Sequence, residues 1–90
     1  MARYKNWWYK FVNALVFHGL QTAEPGRLTQ ATLEAVRHVL ESMPEDERRY
    51  ILAILEGKTT KELASDTISK TTIERMYNRF INSIGYELGL

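Results

Sequence analysis

The sequence predicts an all-α fold, and three observations predict it. Apolar residues recur at i, i+3 and i+4 through most of the chain. No run alternates apolar and polar residues in the manner of a strand, and the β-branched residues fall at helical spacing. Proline, glycine and capping-type residues sit between the periodic segments rather than inside them. About five helices result, in a chain whose 90 residues suit one domain.

The first helix runs roughly from Tyr4 to Leu20. Trp8, Phe11, Val12, Leu15 and Val16 form a stripe, widened by Trp7, Ala14 and Phe17. A helix apolar around so much of its circumference is expected to be buried on more than one side. Gly19 and the stretch TAEPGR end it, with Pro25-Gly26 as a turn. The second helix spans Thr29 to Ser42, with Thr29 as its N-cap. Leu33, Val36, Val39, Leu40 and Met43 supply its buried stripe, and Arg37, His38 and Glu41 its wet face.

The third helix spans Pro44 to Glu56. Proline suits a first helical position, where its missing N–H costs nothing. Glu45, Asp46 and Glu47 follow, where negative charge meets the positive end of the helix. Tyr50, Ile51, Ile54 and Leu55 form its core face, and Gly57 suits the position just past its end. The fourth helix, Thr60 to Asp66, opens on a capping box of Thr59 and Glu62 and buries Leu63 and Ala64. The fifth, Lys70 to Tyr86, is capped by Ser69 and turns Ile73, Tyr77, Phe80, Ile81 and Ile84 inward. The remaining tail is expected to fray or to pack on a neighbour. Residues 1–43 form an N-terminal packing and dimerisation part, and 44–90 a helix-turn-helix part of the same domain.

Composition narrows the function. Hydrophobic residues make up 44% and charged residues 26%, values of a globular rather than a disordered chain. There is no cysteine, hence no disulfide, thiolate nucleophile or cysteine-based zinc site. The apolar N-terminal run is interrupted by Lys10, Asn13 and His18, too short for a membrane span and unlike a signal peptide. A cytoplasmic protein without a membrane partner is expected. His18 and His38 lie on different helices without a matching cluster, and no nucleotide-binding or nucleophile-elbow motif occurs. The Glu45–Glu47 cluster reads as helix-end charge compensation. No catalytic residue, cofactor, metal or small-molecule substrate is predicted, and the chain is not expected to be an enzyme.

The informative stretch is EGKTTKELASDTISKTTIERMYNRF. A helix-turn-helix leads its second helix into the major groove of DNA by its N-terminal residues. Such a helix needs small or hydrogen-bonding residues first, where its backbone nears phosphates, then long polar side chains that reach base edges. Ser69, Lys70, Thr71 and Thr72 meet the first need; Glu74, Arg75, Asn78 and Arg79 meet the second. Net charge is only +1, so DNA binding would depend on where the charges sit.

The segment from Met43 resembles region 4 of the bacterial sigma-70 family and related regulators. The shared features are Met43-Pro44, Glu47, Ile51, Leu55, Gly57, Lys58, Thr59, Glu62-Leu63-Ala64, Ile68-Ser69 and Thr72-Ile73. Small regulators from phages and mobile elements of Gram-positive bacteria look similar, with a helical piece before a sigma-like end. The resemblance covers roughly the second half of the chain. It implies sequence-specific binding of double-stranded DNA in transcriptional regulation. Lys70, Thr71, Thr72, Glu74, Arg75 and Asn78 would face DNA beside the Ser69 cap. Lys58, Thr59, Thr60, Lys61 and Arg79 would hold phosphates. The chain departs from the family where Leu-Gly usually precedes Ile-Ser. Here Asp66-Thr67 runs straight into Ile68, so a left-handed turn residue is harder to supply and a different interhelical angle is expected.

A rival reading comes from another class. The same helical shape could dock on RNA polymerase, a sigma factor or another phage protein without touching DNA. Near-neutral charge and the aromatic first helix favour it. Exposed carboxylates at Glu62, Asp66 and Glu74 would strengthen it; a continuous positive surface would strengthen the DNA reading. Trp7, Trp8, Phe11 and Leu15 are the expected dimer or partner contacts. An aromatic and basic stacking platform for nucleic acid is the less favoured account of that helix. A homodimer would set two reading helices about one DNA turn, or a multiple of it, apart.

Overall fold

Among the described residues α1 spans Asn6–Gln21 and passes through Gly19, while its expected start at Tyr4 lies outside them. Gly19 therefore does not stop the helix. A Cβ there would lie 3.2 Å from Leu33 Cδ2, so the missing side chain lets the two helices approach closely. The computed structural model describes residues 6–22 and 26–89, with side chains from Tyr9 onward. The expected contacts of Trp7 and Trp8 lie outside the described side chains.

Val12 and Val16 of α1 are fully buried, and Tyr9 and Phe17 pack against the same cluster. Phe11, expected in the buried stripe, is instead 44% exposed, and Leu15 is half-buried. The buried face is Tyr9, Val12, Val16 and Gly19, which keeps Val12 and Val16 of the expected stripe and leaves out Phe11 and, in part, Leu15.

α2 spans Arg27–Ser42 and is capped at Gly26, not at Thr29. Thr29 already lies in the first turn. The unanticipated core residues of α2 are Thr32 and Ala35, beside Val36 and Val39. Thr32 is wholly buried because its hydroxyl donates to the Leu28 carbonyl at 2.7 Å, so no polar group is left unmatched. Leu33, Leu40 and Met43 are only partly buried.

α3 covers Glu45–Leu55, with Pro44 as cap rather than first helical residue. Its C-terminus follows the expected form. Gly57 has φ +107°; its N–H donates to the Ile54 carbonyl, and the Lys58 N–H donates to that of Ala53. This paired arrangement is a Schellman motif, and only glycine enters it without steric cost. α4 is one turn, Thr60–Leu63, not a helix to Asp66. Leu63 and Ala64 are half-buried rather than core. α5 spans Lys70–Glu87, one residue longer than expected, so the segment Gly85–Glu87 continues the helix.

α5 packs against each of the other four helices. Its Ile73, Tyr77, Phe80, Ile81 and Ile84 are all buried. All but Ile73 join Val12, Val16, Ala35, Val36, Val39 and Ile51 in one cluster. The two halves of the chain thus share one core, and the described residues are helical and turn throughout. The Cα radius of gyration is 13.2 Å, near the roughly 12 Å expected for one compact unit of this length. Among the described residues, no helix is long and apolar enough to cross a membrane.

Tyr77 fixes α1 to α5 through a polar contact. Its hydroxyl donates to Asn13 Oδ1. Burial, and then the neighbouring Tyr9, raises its phenol above the ordinary tyrosine range. In the folded protein Tyr77 keeps its proton at pH values where the unfolded chain loses it. Stability from this group is therefore complete below about pH 10, the unfolded value, and falls as pH rises beyond it. Thermal melts should show a decline above pH 10 that is shallower in Tyr77→Phe.

Candidate nucleic-acid interface

The turn before α5 is built without any left-handed residue. Gly57 and Gly89 are the only described residues with positive φ. Ala64 leaves α4 in an extended conformation, and Ser65 and Ile68 then exchange backbone hydrogen bonds at 2.9 and 3.3 Å. The Thr67 N–H donates to Ser65 Oγ at 3.3 Å, and the two hydroxyls lie 3.0 Å apart. Ending α4 early is what frees these residues. The structure replaces the expected strained turn with a relaxed one closed by serine.

Both short-range caps form as expected. Thr59 accepts from the Glu62 N–H at 3.2 Å, and Ser69 from the Thr72 N–H at 3.1 Å. The Ser69 and Thr72 hydroxyls are also 2.9 Å apart. Ser69→Ala should lower stability by about 1 kcal/mol. Denaturant titration checks this; an unchanged midpoint would mean that the cap contributes nothing.

Twelve residues were expected at a DNA surface, and eleven are exposed: Lys58, Thr59, Lys61, Ser69, Lys70, Thr71, Thr72, Glu74, Arg75, Asn78 and Arg79. Thr60 is half-buried. On α5 the outward set alternates with the buried Ile73, Tyr77 and Phe80, so the helix has one wet face and one dry one.

Charge on this surface is mixed. Arg79 Nη2 donates to Glu47 Oε1 of α3 at 3.0 Å, while its side chain stays 68% exposed. Lys70 and Glu74 lie 3.9 Å apart one turn from each other. Among the described residues, Lys58, Lys61 and Arg75 have no ion-pair partner. Glu62, Asp66 and Glu74 are exposed and interrupt the basic row.

A groove of about 260 Å³ opens beside the exposed face of α5. Tyr9, Ile54, Thr60, Glu74, Tyr77 and Asn78 line it, from four helices. The sequence alone gives Tyr9 no individual role. Burial and then the charge of Glu74 raise its phenol above the ordinary value.

Two polar residues make contacts between helices. Arg48 donates to the Leu40 carbonyl at 2.8 Å, which also accepts from the Met43 N–H, and to the Met43 carbonyl at 2.9 Å, so α3 is tied to the end of α2. Arginine early in a helix just after another helix's end was the available signal. His38 Nδ1 lies 3.0 Å from Glu87 Oε1, joining α2 to the end of α5. Nothing local to His38 announces a partner 49 residues away. No cluster of three or more potential metal ligands occurs among the described residues.

Compared with protein-family models, curated proteins and solved structures, the chain gives no match.

Proposed function

We propose that the protein binds double-stranded DNA sequence-specifically, as a small transcriptional regulator whose reading element is α4–turn–α5. One observation carries this: the separation of the two faces of α5 behind the Ser69 cap. Lys70, Thr71, Glu74, Arg75 and Asn78 are exposed along the helix from its capped end, while Ile73, Tyr77 and Phe80 anchor the other face. Arginine suits guanine, asparagine adenine, and glutamate the amino group of cytosine. Lys58 and Lys61 flank this row as phosphate contacts. Arg79, which also reaches Glu47, keeps a mostly exposed guanidinium beside this row.

The test is fluorescence anisotropy with fragmented genomic duplex DNA at low and physiological salt. Binding that weakens steeply with salt is expected, because phosphate neutralisation releases counterions. Absence of binding by folded protein at low salt would overturn the proposal.

A protein partner is the second reading, favoured by two particular features. Glu62, Asp66 and Glu74 interrupt the basic row. Phe11, Leu20 and Leu28 are 44%, 45% and 50% exposed on the N-terminal helices. Such residues could serve a homodimer, or docking on RNA polymerase or a sigma factor.

A further inference from the structure

A surface depression of about 580 Å³ runs along α3, lined from Glu45 to Glu56 by that helix and its cap residue alone. α3 turns Ile51 fully into the core and leaves this other side bare. At its middle Leu52 is 42% exposed, beside the half-buried Ala53. Arg49 lies one turn before them and Glu56 one turn after, both exposed. Neither has an ion-pair partner among the described residues. Arg49 sits 5.3 Å from the centroid of the neutral Tyr50 ring. Arg48, the other cation here, is instead engaged by the carbonyls of Leu40 and Met43.

Arg49, Leu52, Ala53 and Glu56 stand at helical spacing and form one stripe: a cation, an apolar centre, an anion. Such a stripe is complementary to its own reverse. Laid antiparallel on a second copy, about a two-fold axis between Leu52 and Ala53, Arg49 comes level with Glu56 of the other chain, and the symmetry makes the pair twice. A parallel arrangement would set Arg49 against Arg49 and Glu56 against Glu56, which repels. Any other helix would have to supply the reversed pattern, whereas this chain already carries it. In the same register Asp46 comes level with the residues just past the other helix. There Lys58 is exposed and has no ion-pair partner among the described residues. The acidic first turn is therefore not set against another acid.

We infer that the exposed face of α3 is a self-association surface: a second copy of this chain packs antiparallel on it, with Leu52 and Ala53 at the two-fold axis and an Arg49–Glu56 pair on each side. This goes beyond the proposed DNA binding and does not depend on it. It also uses a different surface from Phe11, Leu20 and Leu28. The helix has 11 residues, so it is about 16 Å long and about 10 Å wide. Such a face covers a few hundred Å² per copy, well below the roughly 800 Å² per partner of a stable complex. Pairing is accordingly weak, with the monomer dominant at low micromolar concentration.

The experiment is analytical ultracentrifugation from micromolar to millimolar concentration, with thermal melts alongside. The samples are wild type, Arg49→Glu, Glu56→Arg and an equimolar mixture of the two variants. Wild type should pass from monomer to dimer across this range. Either variant alone should associate about tenfold more weakly, because two like-charge contacts replace two attractive pairs. The mixture should regain wild-type association, since each chain then supplies the charge the other lacks at both pairs. A change that merely damaged the helix would not be repaired by mixing. Leu52→Ala, a neutral change at an exposed residue, should weaken pairing several-fold and keeps the test open if a charge variant melts early. Wild type that stays monomeric up to millimolar concentration would overturn the inference. So would a dimer that none of these variants weakens, which would place association on another face such as the N-terminal helices. Folded variants whose mixture regains nothing would overturn it as well.

Discussion

Replacing Phe80 with alanine is expected to destabilise the fold by about 3–5 kcal/mol. Phe80 is 1% exposed and belongs to a cluster drawn from α1, α2, α3 and α5. Its ring lies 5.8 Å from that of Tyr77, centroid to centroid, with the planes tilted by 41°. Truncation removes this contact and leaves a cavity where four helices meet, which no single helix can close by shifting. A domain of this size has a total stability of roughly 5–13 kcal/mol. The variant should therefore melt more than 10 °C below wild type, at several degrees per kcal/mol. Leu52→Ala is the control. Leu52 is 42% exposed on α3, and its loss should cost well under half as much. Similar midpoints for the two variants would contradict the placement of the core.

Arg75→Ala is expected to have the largest effect on DNA binding of any single change on α5 that spares the fold. Arg75 is exposed, lies one turn beyond the first residues of the helix, and has no ion-pair partner among the described residues. Alanine keeps helix propensity there, so the melting midpoint should stay within about 0.5 kcal/mol of wild type. If Arg75 reads a base, affinity for the selected site should fall by about 1–3 kcal/mol while binding to unrelated DNA is almost unchanged. If it holds a phosphate, all sequences should weaken alike and the salt slope should drop by about one unit. Arg79→Ala, by contrast, should first be felt in stability, because it frees Glu47. An Arg75→Ala variant indistinguishable from wild type in both respects would remove Arg75 from the interface.

The parts of the fold legible in the sequence are those fixed by local chemistry. The buried face of α5 follows from the spacing of Ile73, Tyr77, Phe80, Ile81 and Ile84. The Thr59 and Ser69 caps and the Gly57 helix end are decided within a few residues of chain. Val12 and Val16 were legible as the buried residues of α1, but the limits of that face were not, for a physical reason. A helix apolar on most of its circumference offers several stripes, and the periodicity alone includes Phe11 and Leu15 beside Val12 and Val16. What chooses is Gly19, where α2 comes close. The end of α4 was misread because Ser65 and Ile68 satisfy one another across the turn, which makes another helical turn unnecessary. Thr32 was passed over because a threonine that returns its hydroxyl to the preceding turn can be as buried as a valine.

The candidate site divides in the same way. The exposed row from Ser69 to Asn78 could be read from the helical pattern of α5. The Arg79–Glu47 bond and the groove joining Tyr9 to Glu74 could not, since each is made by residues far apart in sequence.

The most direct measurement of the central proposal is a two-dimensional amide NMR titration of the folded protein with its selected duplex. DNA reading by α5 predicts that the shifted amides concentrate in Lys58–Lys61 and Ser69–Asn78. Shifts confined to the outer residues of α1 and α2 around Phe11, Leu20 and Leu28, or no shifts at low salt, would contradict it.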